Sequence, residues 1–212
     1  MSITANSLTE SAPYAPSQAV PSQAVPSQSV PSPAGLLDVT VVQVALDDAR
    51  VKPLLEELAV EYSTRYGDFF SAAGAQEELS RYPASEFEPP HGALLILQEG
   101  GETVAGGAFR RYDQETAEFK RIWTHSARRR KGLARRVLVE LERVAGQRGY
   151  SRVFLTTGPR QPEAKALYLA TGYTPLFDLD ADPEEIKHLA FTKPLSPSLA
   201  EPAPRHSDAR PS

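Results

Sequence analysis

The chain has 212 residues, 41% of them hydrophobic and 24% charged, with a formal net charge of −4. That length suits one domain of ordinary size with flexible ends, and the acidic balance argues against general nucleic-acid affinity. The absence of cysteine excludes disulfides, thiolate metal sites and a cysteine nucleophile.

Residues 1 to 35 hold six of the 19 prolines and a short repeat, in which Pro21-Ser22-Gln23-Ala24-Val25 returns from Pro26 with Ser29 replacing alanine. Five more prolines follow Lys193. Such segments break helices and strands and offer little apolar surface to bury, so 1–35 and 194–212 read as disordered extensions of a domain over 36–193. The other reading of the repeat, a polyproline-type ligand, is weakened because its prolines come every fifth residue without a PxxP core. No stretch reaches the roughly 18 apolar residues that cross a bilayer. The first 30 residues lack lysine, arginine and an apolar h-region. A soluble, cytoplasmic protein is the expectation.

Leu37 to Leu46 is rich in valine and bounded by Gly35 and the Asp47-Asp48 pair, which predicts a strand followed by a helix cap. Val51, Leu54, Leu55, Leu58, Tyr62 and Tyr66 then trace one face of a helix that tolerates Pro53 in its first turn and stops at Gly67. A short helix is expected over 71–82 and a loop over Pro83 to Pro90. Ala93 to Gln98, Thr103 to Tyr112 and Thr116 to Thr124 predict a three-strand meander, joined by Glu99-Gly100-Gly101-Glu102 and Asp113-Gln114-Glu115. A helix opens at Lys131 and ends at Gly149, with Leu133, Val137, Leu138, Leu141, Val144 and Ala145 at helical spacing. The apolar strand Ser151 to Thr157 should lie parallel to its predecessor through a right-handed crossover. Pro162 suits the first turn of the next helix and Gly172 its end, before a last strand near Ile186 to Thr192.

Between 118 and 136 stand Lys120, Arg121, Arg128, Arg129, Arg130, Lys131, Arg135 and Arg136 against one glutamate. A basic run is often only a solvated face, and as a nucleic-acid stripe it is opposed by the overall acidity. Gly132, however, falls at a strand-to-helix step, where free backbone amides and the helix dipole hold anions. There is no GxxxxGK[ST], GxSxG or GxGxxG after a strand, and His91, His125, His188 and His206 have no metal-ligand spacing, so no metal is expected.

Arg129-x-x-Gly132-x-Ala134 resembles the (Gln/Arg)-x-x-Gly-x-(Gly/Ala) signature of the Gcn5-related N-acetyltransferase (GNAT) superfamily. The later order of strand, Gln161-Pro162-Glu163-Ala164-Lys165-Ala166-Leu167-Tyr168 and Thr171-Gly172-Tyr173 is similar to a second motif of that family. The resemblance covers residues 36 to 193 and is strongest over 116 to 176. It implies an α/β GNAT fold, a mixed, mostly antiparallel sheet of six to seven strands with about four helices, and acetyl-coenzyme A as cosubstrate. It places the pyrophosphate on Arg129, Arg130, Lys131, Gly132, Leu133 and Ala134, and the pantetheine arm on the backbone of Ile122, Trp123 and Thr124. Trp123 equally suits a core aromatic.

An amine must lose its proton before it attacks a thioester. Glu118 resembles the family's glutamate base, although a structural pairing with a neighbouring cation fits it too. Tyr168 resembles the tyrosine that protonates the leaving thiolate, or else it packs in the core. Gln161 stands where many relatives have an asparagine that contacts coenzyme A. Tyr62, Arg65 and Tyr66 fall near the acceptor in such a fold, which suggests an acidic or carboxylate-bearing small molecule, while amino-acid, polyamine, antibiotic and protein N-terminal acceptors stay open, so the expected partner is a small-molecule or peptide amine. A homodimer pairing through the last strands fits the fold, and a non-catalytic acyl-coenzyme A sensor is the alternative function.

Overall fold

The computed structural model describes residues 39–67 and 79–196. Seven strands form one sheet in the order β1-β2-β3-β4-β5-β7-β6. β1 (Val39–Val44), β2 (Ala93–Glu99), β3 (Glu102–Arg111) and β4 (Thr116–Thr124) follow one another as antiparallel neighbours. β5 (Arg152–Thr157) lies parallel to β4, and β7 (Leu189–Pro194) pairs antiparallel with both β5 and the short β6 (Thr174–Pro175). The sheet is thus mixed and mostly antiparallel, as the sequence predicts.

The meander turns as its glycines require. Gly100 and Gly101 have φ of 59° and 87°, the left-handed pair that matches a two-residue hairpin to strand twist. Alternation along β2 sends Leu94 and Ile96 to one face and Leu95 and Leu97 to the other, and all four are at most 3% exposed. On the first face they meet Leu54 and Leu58 of α1 (Lys52–Tyr66), together with Phe87, Ala108 and Trp123. On the second they meet Val137, Leu138 and Leu141 of α2 (Leu133–Gln147), Phe109 and Phe119 of the sheet, and Tyr168 of α3 (Pro162–Ala170). Burial on both faces is why β2 is a continuous apolar run rather than an alternating one.

Several boundaries differ from expectation. α1 is preceded by a 3-10 turn at Ala49–Val51 whose first turn is capped by the Asp48 carboxylate. The helix expected over 71–82 falls largely on residues 71–78, outside the described residues; Leu79 and Ser80 are helical and Arg81 and Tyr82 are not. The segment 83–90, expected as loop, contains a 3-10 turn at Ala84–Phe87 that seats Phe87 in the core at 1% exposure. α2 begins at Leu133 rather than Lys131, because Gly132 at φ 80° is left-handed and cannot continue the helix inward. β6 and the helical turn α4 (Pro183–Ile186) are additional, and α4 takes Ile186 out of the last strand.

Candidate cofactor and acceptor site

β4 and β5 begin as neighbours and then separate. Their pairing runs from Thr116 with Arg152 to Phe119 with Leu155 and stops there, while both strands continue. A bulge helps to part them. The β3 register passes from Ala108 opposite Lys120 to Gly106 opposite Trp123, leaving Arg121 and Ile122 both against Gly107, with Arg121 at φ 59°. An extra residue in one strand sharpens its twist and bends it away from its other neighbour. Gly107 is required by the close approach: a Cβ there would meet Ile122, Val137 and Leu141 side-chain atoms at 2.8 to 3.0 Å.

The His125 amide donates to the Val104 carbonyl of β3 at 2.9 Å. Because successive amides alternate in a strand, Trp123 also faces β3 while Ile122 and Thr124 turn their backbone groups into the gap. Thr124 Oγ1 is buried and has no hydrogen-bond partner among the described residues. A buried hydroxyl and two strand residues with free polar edges suit an extended, amide-bearing ligand such as a pantetheine arm. Of the three residues expected there, Trp123 contributes differently: its ring, 3% exposed, belongs to the α1-side core and its indole N–H donates to Glu57 at 3.0 Å.

The gap leads to the loop before α2. His125 caps a 3-10 turn at Ser126–Arg128, and Arg129 is extended before Arg130 at φ 64° and Gly132 at φ 80°. The helix has no side-chain cap, and its first internal bond, from the Arg136 amide to the Gly132 carbonyl, leaves the amides of Leu133, Ala134 and Arg135 available. That arrangement binds anions. Arg130 and Lys131 are exposed and make no ion pair among the described residues, whereas Arg128 pairs with Glu99, Arg129 with Glu61 and Arg136 with Glu140. The basic stretch is therefore no continuous bare face. Its uncommitted charges lie at the loop itself. Leu133 offers its amide while its side chain, 5% exposed, anchors the turn in the core. The local donors fit a diphosphate.

Glu118 projects from β4 toward the α1 side of the sheet. Its carboxylate is held by Arg110 Nε at 2.8 Å and Lys120 Nζ at 2.7 Å, and Arg110 also reaches Glu86 at 2.6 Å. Tyr82 covers this cluster, with the Arg110 guanidinium 4.1 Å from its ring centre. Beside it, a small cavity is lined by Tyr62, Leu79, Tyr82, Phe87, Lys120 and Arg121. Tyr168 approaches from the opposite side, packed between Tyr173 and Phe191 with ring centres 5.7 and 5.4 Å away. Burial pushes its hydroxyl well above the usual phenol range, with a further push from neighbouring Tyr62. Tyr168 belongs to the core on the α2 side of the sheet and Tyr62 packs against the core on the α1 side.

Gln161 occupies the N-cap position of α3, but its amide is engaged within the protein. Oε1 accepts from Thr157 Oγ1 at 2.9 Å and from the Gly158 amide at 3.3 Å, and Nε2 donates to Glu61 at 3.1 Å. Of the three residues placed near the acceptor, Tyr62 lines the cavity. Arg65 and Tyr66 are instead directed at the β5–α3 loop. Arg65 binds the Arg160 carbonyl and Glu163, and the Tyr66 hydroxyl accepts from the Arg160 amide at 3.1 Å. Burial raises the Tyr66 hydroxyl above its ordinary range.

Glu57 and Glu61 were not singled out from sequence. Glu57 accepts from Trp123, from the Ser126 amide at 3.0 Å and from the Ser126 hydroxyl at 2.9 Å. Burial opposes its charge, but these bonds outweigh burial and hold its carboxyl below the usual range. With Arg65 they form an i, i+4, i+8 stripe on α1 that grips both loops bordering the gap. The spacing is visible in sequence, yet it has the same form as an ordinary solvated charged face. Among the described residues there is no group of three or more His, Cys, Asp or Glu arranged to hold a metal, and no helix long and apolar enough to cross a membrane.

Residues 54–173 match the model of the Acetyltransferase (GNAT) family. The uncharacterized N-acetyltransferase YsnE of Bacillus subtilis is 33% identical over 93 residues, which is 42% of this chain and 62% of that protein's length. A Klebsiella pneumoniae protein assigned to the acyl-CoA N-acyltransferases is 26% identical, with a TM-score of 0.58 over 74% of this chain and 98% of its own. The yncA protein of Salmonella typhimurium, solved with its cofactor acetyl-CoA, shares the fold at 17% identity and a TM-score of 0.55, covering 78% of this chain and 99% of its own. Since the family match spans more than half of the sequence and includes both the strand gap and the anion-binding loop, the chain belongs to the acetyltransferase (GNAT) family.

Proposed function

We propose that the protein transfers an acetyl group from acetyl-coenzyme A to a primary amine by direct attack in a ternary complex. The observation that carries this reading is the β4–β5 gap opening onto an uncapped helix N-terminus, with Thr124 Oγ1 buried and unpartnered inside it. Acetyl-coenzyme A supplies the thioester whose acyl carbon accepts the amine. The amides of Leu133 and Ala134, with Arg129, Arg130 and Lys131 around Gly132, hold the diphosphate, and the backbone of Ile122 and Thr124 holds the pantetheine arm.

The acceptor, a small-molecule or peptide amine, enters from the side of Tyr62 and Tyr82. Glu118 takes its proton. Lys120 Nζ already occupies Glu118 Oε1, so an acceptor ammonium can replace it with one of equal charge and deliver a proton to that oxygen. Tyr168 keeps its proton at neutral pH, because burial disfavours the phenolate, and it gives that proton to the departing thiolate as solvent returns one to it, so that no buried phenolate persists. One observation favours a second reading as a non-catalytic acyl-coenzyme A sensor: both oxygens of Glu118 are held by cations.

Calorimetric titration with acetyl-coenzyme A, beside a Gly132→Glu variant, tests the donor site. The variant strains a left-handed position and puts a carboxylate at the anion site. Micromolar binding by the native protein, lost in the variant, is expected. No binding by the native protein sinks the assignment. Glu118→Gln separates the two readings, since an enzyme loses kcat with affinity intact, whereas a sensor shows no turnover with any amine in either form.

A further inference from the structure

Glu61 lies between the two lips of the gap. Its Oε2 is 3.1 Å from an Arg129 guanidinium nitrogen on the anion-binding loop, and its Oε1 is 3.1 Å from Gln161 Nε2 at the start of α3. Arg65 closes the group, with Nε 3.4 Å from the same Oε1. Glu61 is only 18% exposed, while Arg129 is 46% exposed. Arg129 makes no other ion pair among the described residues. We propose that Glu61 is a positioning residue that competes with the diphosphate for Arg129 and thereby weakens coenzyme A binding, so that cofactor arrival frees this end of α1 from the loop.

The inference rests on the donor-site reading above. Arg129 is the first residue of the loop whose amides can hold the anion, so a ligand diphosphate and the Glu61 carboxylate attract the same guanidinium. A carboxylate so close to an anion site also repels the anion directly. Freeing the guanidinium removes one of the carboxylate's ties between α1 and the loop. Gln161 still joins Glu61 to the start of α3 and Glu57 still holds the loop through Ser126, so the helix loosens at this point without losing its seat.

Glu61→Gln tests the competition, since it keeps the volume and an oxygen for Gln161 but drops the charge. Partly exposed ion pairs contribute about 0.2 to 1 kcal/mol, which corresponds to a gain of up to about fivefold in affinity. Calorimetry with coenzyme A at low salt should show the variant binding about two- to fivefold tighter, and the gain should shrink in about 0.5 M salt. The same substitution in an Arg129→Gln background should give a clearly smaller gain, because the residue being competed for is gone and only the direct repulsion of the anion remains to be relieved. A merely structural role would weaken binding in both backgrounds. Equal or weaker binding by Glu61→Gln, or an equal gain without Arg129, overturns the proposal while leaving the donor site standing. Absence of coenzyme A binding by the native protein overturns both.

Discussion

Replacing Glu57 by alanine removes a carboxylate that joins the middle of α1 to the end of β4. Trp123, 3% exposed, then keeps a buried indole N–H with no acceptor, whereas the exposed Ser126 amide and hydroxyl can turn to water. A buried donor left unpaired costs about 1 to 3 kcal/mol, and the freed Ser126 groups add little, so about 2 kcal/mol is expected. For a domain of this size that is a fall in Tm of about 4 to 8 °C. Glu57→Gln retains an acceptor oxygen and should cost about half as much. Trp123 is the single tryptophan of the chain, so its emission reports this site alone and should shift as the indole loses its partner. The pH dependence has a definite sign. The Glu57 carboxyl lies below its ordinary range when folded, so its contribution is complete above the unfolded carboxyl pKa near 4.3 and is lost as pH falls through the lower folded value. Native and Glu57→Ala melting curves should therefore differ fully at pH 7 and approach each other without meeting as pH falls through the lowered folded range, because the protonated acid still offers Trp123 a carbonyl oxygen. A Tm within about 1 °C of native at pH 7, with unchanged emission, would refute the reasoning.

Tyr168→Phe should leave stability within about 1 kcal/mol, because its hydroxyl makes no hydrogen bond among the described residues and the ring contacts persist; steady-state kinetics should show kcat falling on the order of a hundredfold while coenzyme A affinity holds. Gly158→Ala would bring a Cβ to 2.0 Å from the Tyr66 hydroxyl and 2.6 Å from its Cζ. The ring must move and release the Arg160 amide, so thermal melting should show a loss of about 1 to 3 kcal/mol. Phe109→Ala opens a fully buried site between Phe119 and Tyr150, and denaturant titration should register a loss of about 3 to 5 kcal/mol.

The elements that sequence determines by itself are those whose signal is local. The Gly100-Gly101 hairpin, the Leu133 to Ala145 periodicity and the Gly132 step each depend on backbone preference or on repeat spacing within a few residues, and the structure places them within a residue or two of expectation. The loop amides around Gly132 were legible for the same reason, since an uncapped helix start is a property of the chain next to it. What only the tertiary structure decides is pairing at a distance. Gln161 and Glu61 are 100 residues apart, and Arg65 and Arg160 are 95 apart. No short-range pattern distinguishes a charged stripe that grips two loops from one that faces water. The separation of β4 from β5 likewise depends on a bulge opposite Gly107 and on α2 packing against that glycine. Glu118 shows the same limit: its residue type, its strand and Lys120 two residues on were readable, but Arg110, which holds its other oxygen, comes from the register of β3 against β4, which is set by the packing of the whole sheet.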